Sequence, residues 1–156
     1  MDAPTYGFME DFVTTYITKT GLKVCDVGSR DINGSYRPLF ENQFYTGIDI
    51  VPGKNVDVVV EPYRFPFPDG AFDVVVSGQT LEHVEDIYAW MQEVARISKD
   101  LVCIIAPWKF KEHRFPVDCW RILPDGMSFL FKRSGLRQIH IELSGASCIG
   151  IAKKEG

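Results

Sequence analysis

The sequence predicts an α/β fold: a mostly parallel sheet covered on both faces, closed by an antiparallel C-terminal strand and carrying a reduced helix set. Three observations point there. Short β-branched runs at 23–27, 45–50, 56–60, 72–77 and 101–106 are apolar on both alternating faces, as strands packed under helices on each side must be. One helical pattern lies between two of these runs, which is the βα unit of a parallel sheet. Two further strand-like runs flank a Ser-Gly-Ala-Ser spacer at the end of the chain, which reads as an antiparallel hairpin.

The elements follow in order. Phe8, Met9, Phe12, Val13, Tyr16 and Ile17 recur at helical spacing, and Gly21 is the expected stop. The runs at 23–27 and 45–50 are the first two strands. Only Val51-Pro-Gly-Lys-Asn separates the second run from the third, whereas a parallel crossover takes about a dozen residues. The run at 56–60 therefore either pairs antiparallel or is a short edge segment reached by an extended connection. Pro62, Pro66 and Pro68 stiffen the loop that follows. Ile87, Trp90, Met91, Val94 and Ile97 mark a helix over about 86–98, ahead of the run at 101–106. Pro124 starts a third helix through Met127, Leu130 and Phe131, and Gly135 ends it. Strands at 137–143 and 148–153 close the chain.

At 156 residues and 46% apolar composition, the chain suits one domain over 1–156. A formal charge of −4 argues against nucleic acid and anionic lipid as partners. The first residues lack a basic targeting region, and no apolar run approaches the roughly 20 residues that span a bilayer. These features lead to the expectation of a soluble, cytoplasmic protein with no membrane partner. The four cysteines (Cys25, Cys103, Cys119, Cys148) show neither CxxC nor Cys/His ligand spacing, so reduced, buried thiols are expected and no metal.

The chemistry concentrates in Val24-Cys-Asp-Val-Gly-Ser-Arg-Asp-Ile-Asn-Gly-Ser35 and Gly47-Ile-Asp-Ile50. A buried strand, a glycine turn and a second strand ending in a carboxylate outline a nucleoside site: Gly28 lets a ligand lie against the main chain, and Asp49 offers two acceptor oxygens to a ribose diol. A dinucleotide site needs G-x-G-x-x-G. Here the second glycine is missing, Asp31 places negative charge where phosphate would sit, and Pro38 interrupts the next segment, so NAD is disfavoured.

The chain resembles the class I S-adenosylmethionine-dependent methyltransferases, in their type 11-like branch. The likeness runs from Val24-Cys-Asp-Val-Gly-Ser through Gly47-Ile-Asp-Ile, Phe65-Pro-Phe-Pro-Asp-Gly-Ala-Phe-Asp-Val-Val-Val-Ser, Leu81-Glu-His-Val and Glu93-Val-Ala-Arg-Ile to the terminal hairpin. It implies a Rossmann-like, seven-stranded sheet with a reversed last strand and S-adenosyl-L-methionine as cofactor. It further implies that Asp26 and Gly28 form the first motif, that Asp49 holds the ribose, that Glu61 receives the adenine amino group, and that Gln79 faces the sulfonium. Ser29, Asn33 and Ile50 complete the expected cofactor set, with Asn33 and Gly34 supplying the turn that Arg30, in place of the family's second glycine, cannot. Pro62 lacks the amide hydrogen often offered to adenine, a part that Tyr63 N–H or a water can take.

The segment Pro107-Trp-Lys-Phe-Lys-Glu-His-Arg-Phe-Pro-Val-Asp-Cys-Trp-Arg121 is long, aromatic and charged, and it follows a buried strand where substrate enters an α/β site. Trp108, Arg114, Asp118, Trp120 and Arg121 are the expected substrate-binding residues, and His113, with His83, the expected catalytic residues. The competing view is a structural loop, closed by an ion pair of Arg114 or Arg121 with Asp118. The expected function is methyl transfer to a small polar acceptor, a sugar or glycan precursor being one such; the alternative is a non-catalytic S-adenosylmethionine-binding accessory module.

Overall fold

Seven strands form one sheet in the order β3-β2-β1-β4-β5-β7-β6 in a computed structural model that describes residues 2–155. The strands are β1 (Lys23–Val27), β2 (Phe44–Asp49), β3 (Val58–Val59), β4 (Phe72–Gly78), β5 (Ser98–Pro107), β6 (Leu136–Ser144) and β7 (Ser147–Lys154). The pairs from β3 through β5 are parallel, and β7 runs antiparallel to both β5 and β6. The reversed C-terminal strand is thus confirmed. The order reverses between β1 and β4, which opens a crevice at the carboxyl ends of these strands.

Three α-helices cover the sheet: α1 (Ala3–Tyr16), α2 (Ile87–Ile97) and α3 (Pro124–Arg133). Helix α1 starts five residues before the apolar pattern does, because Asp2 caps it by accepting from Thr5 N at 2.8 Å and Pro4 stands in its first turn. It lays Met9 and Phe12 on the face formed by Val24, Val74, Val76, Cys103, Ile105, Ile149 and Ile151. On the opposite face α2 and α3 bury Trp90, Met91, Val94 and Ile97, and Met127, Leu130 and Phe131, against Cys25, Val75, Val102, Ile104 and Ala152. Among the described residues no helix is long and apolar enough to cross a membrane.

The helix set is reduced on the side of the short connections. Between β1 and β2 only a 3-10 turn, Arg37–Phe40, remains, with Pro38 at its start and Phe40 buried. Between β2 and β3 there is no helix. Of the two alternatives left by the spacing, the extended connection is the one found: Ile48 pairs with Val58 and Asp49 with Val59 in parallel. So short a link aligns only the tips of the strands, hence two paired residues rather than the five of the run. Asn55 takes a positive φ of 67° to make the bend, and Asp57 N donates to Gly47 O at 2.8 Å. Three cysteines are buried as expected, but Cys119 is exposed, because it lies in the loop after β5 rather than in a strand.

Candidate active site

A cavity of about 1020 Å³ opens at the carboxyl ends of β1, β2, β4 and β5. Its floor is the turn after β1. Gly28 has φ +79°, and a Cβ there would stand 2.1 Å from Thr80 Oγ1, so both backbone shape and space require glycine. Gly28 N and Ser29 N both donate to Ile48 O, at 2.9 and 3.0 Å, which ties the turn to β2. The Ser29 hydroxyl donates to Asn55 O at 2.8 Å. Asp26 lies beneath, 2% exposed, and accepts from the Tyr45 hydroxyl. Burial pushes its carboxyl up to about 7; the Tyr45 hydrogen bond opposes that rise and the nearby Asp49 adds to it.

Asp49 ends β2 with both oxygens fixed by backbone amides: Arg30 N donates to Oδ2 and Val51 N to Oδ1, each at 3.1 Å. Each oxygen keeps acceptor capacity, which is what a ribose diol requires. Ile50, Val60, Pro62, Tyr63 and Phe65 continue this wall as a largely apolar slot. Glu61 does not line the cavity; it is exposed and bridges to Arg64 in a tight turn. The residue expected to receive an adenine amino group thus sits in an exposed turn outside the cavity lining. Asp31 also faces elsewhere: it accepts from Gly34 N at 2.7 Å and pairs with Lys54 at 3.4 Å. Gly34 takes the positive φ of that loop, whereas Asn33, which lines the cavity, does not share it.

Gln79 follows β4 at a positive φ of 58°. It lines the cavity, and its amide reaches Thr5 Oγ1 at 3.3 Å and Ser147 Oγ at 3.4 Å, holding α1 to the sheet end. Beyond it the 3-10 turn Leu81–His83 brings Glu82 and His83 to the wall. A carbonyl can only accept, so the 2.6 Å contact of His83 Nδ1 with Val117 O places a proton on Nδ1.

The loop after β5 forms the mouth. Asp118 and Arg121 make a two-pronged ion pair at 2.6 and 2.8 Å, and Arg121 also donates to the carbonyls of Phe110 and Lys111. Arg121 thereby holds the Asp118 carboxyl well below the usual carboxylate range. This is the ion pair of the structural alternative, and both of its residues also line the cavity. Asp118 meets His113 only through the backbone, accepting from His113 N at 2.5 Å. Trp108 and Trp120, expected in the substrate wall, are not among the residues that line the cavity. Their indole N–H groups instead clasp neighbouring loops, Trp108 to Gly145 O at 2.9 Å and Trp120 to Val84 O at 2.7 Å. This loop contributes the rings of Phe110 and Phe115, both exposed, to the cavity lining. The His113 ring stacks on Phe115 at 6.0 Å and stands edge-on 5.7 Å from the His83 ring, with Arg114 beside it.

Sequence reasoning missed Tyr36 and Glu82. Among the described residues, Tyr36 Oη and Glu82 Oε1 are buried side-chain atoms without a hydrogen-bond partner, and both residues line this cavity. Glu82 stood within the Leu81-Glu-His-Val motif, where the histidine drew attention first. The cavity fits S-adenosylmethionine in kind: a turn open to a ligand at Gly28, an acceptor pair at Asp49, an apolar slot, and an orphaned donor at Tyr36.

A sheet of this order, with a glycine turn after its first strand and a carboxylate at the tip of its second, defines a class I S-adenosylmethionine-dependent methyltransferase. The chain belongs to the methyltransferase domain family of type 11, whose model matches residues 25–104. No curated protein matches it. Among solved structures it is similar to a chain in the complex between the Haloferax volcanii Trm112 methyltransferase activator and a methyltransferase, with TM-score 0.78, 13% identity, and coverage of 97% of this chain and 90% of that one. It is also similar to a SAM dependent methyltransferase from Aquifex aeolicus (TM-score 0.69, 19% identity, 98% of each chain covered). A third is magnesium protoporphyrin IX methyltransferase from Synechocystis with bound S-adenosylhomocysteine (TM-score 0.76, 16% identity, 97% and 83% covered). At these identities the likeness is one of fold. S-adenosylmethionine is the cofactor of this family.

Proposed function

We propose that the protein transfers a methyl group from S-adenosylmethionine to a small polar acceptor that enters under the loop after β5. The observation that carries this reading is one continuous cavity with Asp49, pre-oriented by two amides, at one end and Phe110, His113, Arg114 and Phe115 at the other. The bound cofactor supplies a methyl group already activated by its sulfonium charge. Asp49 would accept from its ribose hydroxyls, Ile50, Val60 and Pro62 would flank the adenine, and the main chain at Gly28 with Tyr36 and Gln79 would face the methionine part. The protein then has to place an acceptor lone pair in line with the departing sulfur and exclude water.

The mouth suits a ring that bears polar groups. Flat aromatic faces at Phe110 and Phe115 take a ring or the C–H face of a sugar, while Arg114 and His113 reach its hydroxyl or anionic groups. A sugar or glycan precursor meets this description. His83 and His113 border the entry and orient the acceptor.

Calorimetry with S-adenosylhomocysteine and transfer of labelled methyl from S-adenosylmethionine test the reading. Binding with transfer to small ring compounds is expected, and His113→Ala should slow transfer at unchanged cofactor affinity. Absence of S-adenosylhomocysteine binding would overturn the reading; binding without transfer to any metabolite pool would favour the accessory module.

A further inference from the structure

Glu82 lines the cavity as a buried carboxylate, 4% exposed, and among the described residues its Oε1 is a buried side-chain oxygen with no partner. Its backbone is fixed from outside: Cys119 N and Trp120 N both donate to Glu82 O, at 2.7 and 3.2 Å, which folds the mouth loop over it. Its other oxygen, Oε2, lies 3.7 Å from His83 Nε2, too far for a hydrogen bond. Leaving a buried carboxylate oxygen unsatisfied is costly, and such sites persist where a ligand completes them.

Resting on the methyl-transfer reading, we propose that Glu82 takes the proton from a hydroxyl acceptor, so that the substrate is a ring-bearing alcohol or phenol methylated on oxygen. The carboxylate accepts a hydrogen bond from the acceptor O–H through Oε1 and orients the oxygen lone pair toward the methyl. As the carbon–oxygen bond forms, the carbon–sulfur bond breaks and its electron pair returns to sulfur, while the acceptor proton passes to Oε1. Cationic cofactor, neutral alcohol and anionic carboxylate thus become neutral thioether, methyl ether and carboxylic acid, and the charges balance. Lys111 and Arg114 line the same cavity, which favours a neutral or anionic hydroxyl compound over a protonated amine, while Arg121 is already paired with Asp118.

The charged and titratable groups facing Glu82 are Arg121 and Asp118 from the mouth loop, His83 on its own turn, and Tyr36 from the segment after β1, which in turn senses Asp2 at the start of α1. Burial raises the Glu82 carboxyl to about 7, with Arg121 lowering it and Asp118 raising it. A base at that value is half ionised near neutral pH, where general-base catalysis is efficient.

The test uses the full chain saturated with S-adenosylhomocysteine and carrying ¹³C-labelled glutamate carboxyls. Phenol, catechol, methyl glucoside, inositol, benzylamine and aniline are the probes. The expected result is one carboxyl resonance, absent from E82Q and titrating near neutrality, that shifts with the hydroxyl compounds. With labelled S-adenosylmethionine, methyl should appear on oxygen, and E82Q should lower kcat about 100-fold, with KM and S-adenosylhomocysteine affinity within about twofold and the rise of rate with pH lost. Should E82Q fail to fold, E82D supplies the assignment and retains part of the rate. The proposal is overturned if no hydroxyl probe moves that resonance, if the amines are methylated instead, or if E82Q matches the wild type in kcat and pH profile. Loss of S-adenosylhomocysteine binding by the wild type would sink the underlying reading instead.

Discussion

The Tyr36 hydroxyl packs against the backbone of Gly78 so closely that a Cβ on that glycine would stand 2.0 Å from Oη and 2.8 Å from Cζ. The segment after β1 thus folds onto the end of β4, with the buried tyrosine at the start of the 3-10 turn Arg37–Phe40. Gly78→Ala should destabilise the protein by about 1–3 kcal/mol, the usual cost of overpacking. In a Tyr36→Phe background the penalty should shrink without vanishing, since the ring carbons still intrude. Tyr36→Phe alone should cost almost nothing, because its hydroxyl has no partner to lose. Urea denaturation of the four proteins gives the cycle, and additive penalties would disprove the coupling.

Asp49 is held by Arg30 N and Val51 N, so its geometry is set before any ligand arrives. Asp49→Ala should remove two charge-assisted hydrogen bonds to the ribose at about 1.5 kcal/mol each, weakening S-adenosylhomocysteine binding on the order of 100-fold. Calorimetry reads this directly. An affinity within threefold of wild type would take the ribose role away from Asp49.

The parallel strands were legible because their runs are mostly apolar on both faces, and that property belongs to the residues themselves. The direction of β3 was not, since it depends on how Asn55 and Asp57 fold a short connection back onto Gly47, a tertiary matter. In the site, Gly28 and Asp49 announced themselves by type and position. Trp108 and Trp120 were harder to place, because a loop rich in rings and charges carries residues that bind the loop to itself as well as residues, such as Asp118, that also line the cavity. Only geometry separates Trp120, hydrogen-bonded to Val84, from Phe115, stacked on His113. Glu82 was hidden because burial, rather than identity, gives its carboxyl its character.

That separation is measurable. Trp120→Phe removes one hydrogen bond and should lower stability by about 1 kcal/mol, with no specific effect on acceptor KM. Phe115→Ala, at an exposed position in the mouth, should leave stability within about 0.5 kcal/mol and raise the acceptor KM several-fold. Thermal unfolding with steady-state kinetics on both variants decides the matter; the reverse pattern would return Trp120 to the substrate wall.

The Asp26 carboxyl is raised from 3.8 to about 7 in the folded protein, so between these values the folded state holds a proton that the unfolded chain has released. Stability from this group is therefore fully present below about pH 4, falls as pH rises to about 7, and is level above, by roughly 4 kcal/mol in all. Asp26→Asn keeps an acceptor for Tyr45 but cannot ionise, so wild type and variant should have similar stability near pH 4, and the variant should be the more stable at pH 8 by a few kcal/mol. Denaturation midpoints against pH measure this, and parallel curves for the two proteins would refute the buried, neutral carboxyl. A residue that costs stability when charged is of use where a cation arrives. S-adenosylmethionine carries a sulfonium charge that S-adenosylhomocysteine lacks, so at pH 7 its binding should release more protons from wild type than the product does. Calorimetry in buffers of different ionisation enthalpy should find that difference, and should find it gone in Asp26→Asn.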